Sequence, residues 1–271
     1  MKRSPHGVRR NLAAGPRRVN RPRPEADRGY LACGWHAATA FLQNRPNAVR
    51  QVLLQAPPKA EFSGLLGRSR IAAKVVTPAV LDNLSGGVVH QGVIVQGEAP
   101  PAPGLAPLLE SRPRLLLALD NVTDPRNIGA IARTAEAAGF GGLLLTRDRA
   151  PDLSPALVKT AAGAVEFLPF CRVTNLVRAL DILGKAGYWR IGLDAGGEID
   201  VLDVDAVPGM PAVLVAGAEG KGIRPLVRRS LDRIVSIPMV GHTASLNVSV
   251  ACGIAIAAMA RAGRAAEGPR P

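Results

Sequence analysis

Residues 234–260 read IVSIPMVGHTASLNVSVACGIAIAAMA, and this stretch sets the fold class. Ile234–Ile237 reads as a short apolar strand that stops at Pro238, which cannot donate to a continuing ladder. A loop from Met239 to Ala244 delivers Ser245. From Ser245 the pattern turns helical, with a serine in the N-cap slot and small apolar residues after it. Strand, irregular loop and capped helix make an edge that faces an anion or a cofactor, because the first helical N–H groups point at whatever sits there. The same arrangement also serves as a plain strand–helix connection capped by Ser245. The flanking sequence decides between the two.

Upstream, short apolar runs alternate with helical patterns. Strands are predicted at 115–119, 142–146, 166–170, 188–193 and 211–216, with helices at 126–138, 154–162, 176–186 and 223–230. That alternation predicts an α/β domain over 114–271 whose parallel sheet is covered on both faces. Ligands of such sheets sit at the carboxyl ends of the strands, here the loops 121–127, 217–222 and 239–244. Residues 98–113 are dense in proline and read as an extended linker. Residues 29–97 read as a smaller α/β module. It has a turn at 29–33, a helix at 34–43, a strand at 48–55 and a helix at 59–68. A strand at 73–77, a short helix opened by Pro78 and a strand at 88–96 complete it.

Of the 271 residues, 47% are hydrophobic but only 3% aromatic, so the core must be built from Leu, Val, Ile and Ala. The formal net charge is +13, which makes a polyanion, and nucleic acid first, the expected partner. Residues 1–28 carry +7 of that charge, from nine Lys/Arg against Glu25 and Asp27. Four prolines there oppose an amphipathic helix, so a disordered basic arm is expected rather than a transit peptide. Cys33, Cys171 and Cys252 are odd in number, far apart and without metal spacing. They predict reduced thiols, a cytoplasmic protein and no metal site. No apolar run is long enough to span a bilayer, and no signal peptide is visible, so no membrane partner is expected.

The first loop and its helix read DNVTDPRNIGAIARTAEAAG from Asp120 to Gly139. Asn127 lies where the helix starts, and Arg133 six residues on, about 120° around the axis. A long arginine can return to the same cleft, or pair in solvent with Glu136 at i+3. The second loop, from Ala216, reads AGAEGKGI and is open to a ligand through its backbone. It is not a P-loop, because only three residues separate Gly217 from Lys221. Glu219 and Lys221 are solvated if it is only a glycine-rich turn. A serine hydrolase built on Ser245 is excluded, because no G-x-S-x-G elbow surrounds it.

Together, Asp120–Gly139, Val213–Ile223 and Ile237–Ala251 resemble motifs 1, 2 and 3 of the SpoU (TrmH-like) RNA ribose 2′-O-methyltransferases of the SPOUT superfamily. The module at 29–97, notably His90-Gln91-Gly92-Val93, resembles that family's L7Ae-like substrate-binding domain. The combination is most similar to the 23S rRNA guanosine 2′-O-methyltransferases of the RlmB type. The resemblance implies a C-terminal SPOUT domain with a deep trefoil knot, a homodimer and S-adenosylmethionine as cofactor. It places the cofactor against Gly217, Glu219, Ile237, Met239, Leu246 and Asn247, and makes Asn127, Arg133, Glu219, Ser245 and Asn247 the catalytic set. RNA is the implied partner, ribosomal first and tRNA as the alternative. A third alternative is a non-catalytic rRNA-binding or assembly protein with a vestigial cofactor site. Such a site is expected to have lost the arginine or the Ser-Leu-Asn triplet, and both are present.

Overall fold

The computed structural model describes residues 29–265 apart from 149, 204–206, 208 and 244; the basic arm, residues 1–28, lies outside the described residues. The first module is a four-stranded sheet of β1 (Tyr30–Cys33), β2 (Val49–Leu54), β3 (Ala73–Val75) and β4 (Val93–Gly97), in the order β1-β4-β2-β3. Helices α1 (Trp35–Asn44), α2 (Ala60–Ser69) and α3 (Pro78–Ser85) connect its strands. β4 runs antiparallel to β1 and β2, while β2 and β3 are parallel. The expected turn at 29–33 is a strand. Tyr30 and Ala32 pack into the main core and Leu31 and Cys33 into a smaller one, so both faces are covered and no polar alternation marks it. β4 starts five residues later than the apolar run predicts, because Gln91 and Gly92 take positive φ and cannot extend.

The proline-rich segment contains α4 (Leu105–Glu110), where extended chain is expected. Pro107 falls in its first turn, where the helix needs no N–H donor, and Leu108 is buried against the second sheet. That sheet collects β5 (Leu115–Asp120), β6 (Leu143–Thr146), β7 (Phe170–Val173), β8 (Trp189–Leu193), β9 (Ile199–Asp200), β10 (Ala212–Gly217) and β11 (Arg233–Ser236). Its order is β7-β6-β5-β10-β8-β11-β9, with every pair parallel. The connecting helices are α5 (Pro125–Ala137), α6 (Pro155–Ala161), α7 (Leu176–Lys185) and α8 (Pro225–Arg228), and α9 (Val248–Ala265) follows the last strand. Alternate residues of the central strands divide between two cores. Leu115, Leu117 and Leu119 join Ile128, Leu157 and Ile256 on one face, whereas Leu116 and Ala118 join Leu176, Leu180 and Val227 on the other. This is the parallel, doubly covered α/β sheet that the apolar runs predict.

One expected strand is displaced. Residues 164–166 form a 3-10 turn, and β7 begins only after Pro169, which has no N–H for the ladder. The shift leaves Glu166 buried between the modules. Its carboxylate accepts from Tyr30 Oη at 2.6 Å and from Arg45 Nε at 2.7 Å, and the Arg45 guanidinium lies over the Phe41 ring. Burial, then the Glu166 charge, pushes the Tyr30 hydroxyl well above its usual range, so it stays a donor. Nearby, Gln91 Oε1 accepts from Lys159 Nζ at 2.9 Å, so the two modules are joined by polar contacts as well as a shared core. Glu166 has no exposed side-chain surface and Arg45 has 19%. Removing the cation strands a buried charge, so Arg45→Ala should lower stability by about 3 kcal/mol in urea denaturation. A loss below about 1 kcal/mol would mean that the pair contributes no more than a surface ion pair.

Candidate active site

The carboxyl end of the second sheet is where β5 and β10 finish in register, Asp120 against Gly217. Asp120 is fully buried. Its Oδ1 accepts from Arg224 Nε at 2.7 Å and its Oδ2 from the Arg224 backbone N at 2.9 Å. That pair draws the end of the glycine loop back over the strand ends. Within the loop, Gly222 N donates to Ala218 O at 2.9 Å, closing a tight hairpin. A Cβ on Gly217 would stand 2.1 Å from the carbonyl of Gly222, so only glycine allows this fold-back.

Glu219 is exposed, but it is not without partners as a simple surface turn would leave it. Its Oε1 accepts from Asn247 Nδ2 at 2.6 Å, from the Val248 backbone N at 3.1 Å and from Asn127 Nδ2 at 3.4 Å. Asn247 Nδ2 also donates to Asn127 Oδ1 at 3.1 Å. Three sequence motifs thus meet at one carboxylate, which sits at the positive end of α9. The cap of that helix corrects the sequence reading. Asn247 Oδ1 accepts from Ser249 N at 2.9 Å and α9 begins at Val248, so Asn247 and not Ser245 occupies the N-cap position. Ser245 lies outside the helix, exposed, on the wall of a cavity.

That cavity, of about 370 Å³, lies beside the glycine loop. Of the residues expected to hold a cofactor, Gly217, Glu219, Ile237, Met239 and Leu246 line it, and Ser245 does too. Asn247 does not; it turns toward Glu219 and Asn127. Arg133 lies on α5, exposed, with no polar partner among the described residues, so the solvent pair with Glu136 is not formed. Sequence reasoning missed two acids, Asp120 and Asp194. Each stands at the end of an apolar strand, LLLALD and RIGLD, and an acid at such a point is the signal that marks them. Burial opposes charge on Asp194, but amide donors at Gly196 and Ile223 and the Arg228 cation outweigh it and lower its pKa. Among the described residues, no group of three metal-ligating side chains occurs, and no helix is long and apolar enough to cross a membrane.

Fold and site define a two-module α/β protein with a ligand cleft at the carboxyl edge of a parallel sheet. Residues 114–257 match the SpoU rRNA methylase family, and residues 31–103 match the RNA 2′-O ribose methyltransferase substrate-binding family. The chain belongs to the SpoU rRNA methylase family. A 23S rRNA (guanosine-2′-O-)-methyltransferase, RlmB, of Pseudomonas putida is 38% identical over 232 residues, covering 82% of this chain and 92% of the relative. An uncharacterized tRNA/rRNA methyltransferase of Mycobacterium ulcerans is 43% identical over 185 residues, 67% of this chain; the match spans 59% of that relative's length. The structure of the SpoU methyltransferase AviRb from Streptomyces viridochromogenes, in complex with the cofactor AdoMet, superposes with a TM-score of 0.72 at 27% identity. That match covers 87% of this chain and 90% of AviRb.

A valine at position 217 cannot be placed without opening the hairpin that walls the cavity. Gly217→Val should therefore abolish S-adenosylmethionine binding in calorimetry while the thermal unfolding transition survives. Undiminished binding would remove the glycine loop from the site.

Proposed function

We propose that this protein transfers the methyl group of S-adenosylmethionine to a ribose 2′-hydroxyl of RNA, a guanosine of 23S rRNA first and tRNA as the alternative. The observation that carries this reading is the meeting of Asn127, Glu219 and Asn247 at the rim of a cavity floored by the glycine loop. A vestigial site has no reason to keep such a junction. The cavity suits the cofactor: its volume is that of a small-ligand site, its walls at Ile237 and Leu246 are apolar, and the 216–222 backbone supplies donors and acceptors. When bound, the cofactor would supply an activated methyl on a sulfonium, whose transfer to the 2′-oxygen would leave the electron pair of the broken S–CH₃ bond on sulfur and the hydroxyl proton to solvent water.

The residues of this chain do the rest. The glycine loop and the 237–246 loop hold the donor and exclude water, so that attack is in line. Glu219, fixed by Asn127, Asn247 and the first turn of α9, keeps the loops in register. Ser245, exposed on the wall, is free to bond the ribose or the donor's carboxylate. Arg133 acts as a fixed cation for the forming alkoxide and the neighbouring phosphate, to which its planar fork of donors is suited. The same reading takes the deep trefoil knot as the path of the C-terminal segment and the cytoplasm as the compartment, where Cys33, Cys171 and Cys252 stay free. Burial raises these thiols to about 11, 11 and 12, so they are chemically quiet.

Mapping 2′-O-methylation across total RNA with and without this gene tests the activity; an unchanged map overturns it. Arg133→Ala should slow single turnover on the order of 10²–10³-fold, with little change in cofactor affinity. Arg133→Lys should stay nearly inactive from about pH 7 to 10, since a lysine, titrating near about 10.4, offers a point charge and not a fork. Recovery at high pH would instead favour proton abstraction at this position.

RNA affinity should reside in the 29–97 module and the basic arm. Deleting residues 1–28 should flatten the salt dependence of RNA binding and leave cofactor affinity unchanged. We also infer a homodimer built on α9. Ala255 is packed inside its own chain, but Val250, Gly253 and Ala257 share a face that is exposed or half-buried. Sedimentation should show a dimer at micromolar concentration, and a monomer would count against it.

A further inference from the structure

Asp194 lies outside all three motifs, yet it lines the cavity. It follows β8 directly, and its backbone N donates to Val235 O on β11 at 3.0 Å. Its side chain gathers three segments. Oδ1 accepts from Gly196 N at 3.0 Å and pairs with Arg228 Nη1 at 2.9 Å, while Oδ2 accepts a longer bond of 3.4 Å from Ile223 N. Arg228 closes the group by donating Nη2 to Gly196 O at 3.2 Å. Gly222, at φ +59°, makes the approach possible, since a Cβ there would stand 2.8 Å from Asp194 Oδ2.

The glycine loop is therefore held at three points. Glu219 ties its tip to α9, and Asp120 ties Arg224 to β5. Asp194 ties the Gly222–Ile223 turn to the 194–197 turn, and Asp194 and Ala195 from one stretch and Gly222 from the other form walls of the cavity. We propose that Asp194 is a positioning residue for cofactor binding, which sets the spacing of those walls with Arg228 as its counter-ion. This rests on the reading of the cavity as the S-adenosylmethionine site.

An asparagine at 194 keeps an acceptor for one amide but loses the ion pair. Arg228 is 37% exposed and can turn to solvent, so the fold tolerates the change. Asp194→Asn and Arg228→Gln should each weaken S-adenosylmethionine about ten-fold in calorimetry, the scale of a lost hydrogen bond to a charged group. S-adenosylhomocysteine should weaken equally, because the effect is on wall geometry and not on the sulfonium charge. The double variant should be little worse than either single one, because both remove one interaction. The Michaelis constant for the cofactor should rise by more than kcat falls, and RNA affinity should not change.

Unaltered cofactor affinity in variants that melt cooperatively would overturn the proposal. So would a loss confined to S-adenosylmethionine, which would put the carboxylate in contact with the donor's charge, or an equal loss of RNA affinity, which would mean general damage. Should Asp194→Asn fail to fold, Arg228→Gln carries the test alone. Gly217→Val measured alongside separates the two readings. If it too binds normally, the cavity is not the cofactor site; if it alone loses binding, the site stands and the role of Asp194 falls.

Discussion

The buried charge of Asp120 constrains the active edge of this protein more than any other group. A carboxylate with no exposed surface at the end of a fully buried strand would cost several kcal/mol if left alone. Arg224 answers it through both its backbone N–H and its guanidinium. To deliver Arg224 there, the chain leaving β10 must turn back at once, and it does so through Gly217 and Gly222, which meet where side chains would not fit. The cavity follows from that turn: its floor is the backbone of the returning loop.

The other carboxylates of the edge extend the same logic. Glu219 meets the first N–H of α9, so a helix terminus that would otherwise lack a partner is satisfied by a residue from a distant loop. Asn247 caps the helix with its oxygen and bonds Glu219 with its nitrogen. One side chain thus both starts the helix and registers it against the glycine loop, and α5 joins through Asn127. Precise placement is what methyl transfer from an activated donor requires, because the chemistry itself asks for alignment more than for a strong base.

Glu166 plays the corresponding part between the modules. It is held by Tyr30 and Arg45 from the first module while its own backbone belongs to the turn before β7. With Gln91 meeting Lys159 at the surface, it ties the substrate-binding module to the methylase module, and parting the two would strip the buried Glu166 charge of its partners. The family's His-Gln-Gly stretch therefore has a structural use here: His90 pairs with Asp82, and Gln91 reaches across the junction.

Much of this was legible in the sequence, and the reason is local. Apolar runs such as Leu115–Leu119 and Ala212–Ala216 need no tertiary information to be read as buried strands, and their alternation with helices implies parallel pairing. The three motifs announced their convergence because strand ends in such sheets share one edge. What stayed hidden depended on partners far away in the chain. Tyr30–Cys33 is a strand because another strand, β4, lies beside it, and α4 forms because Leu108 finds a buried place. Ser245 has the chemistry of a cap, but Asn247 holds the position, since Glu219 receives its amide from 28 residues away. By itself the sequence determined which segments are apolar, which turns tolerate glycine and which polar groups exist. Only the tertiary structure decided which carboxylates lose their water, and each buried charge then dictated its partner.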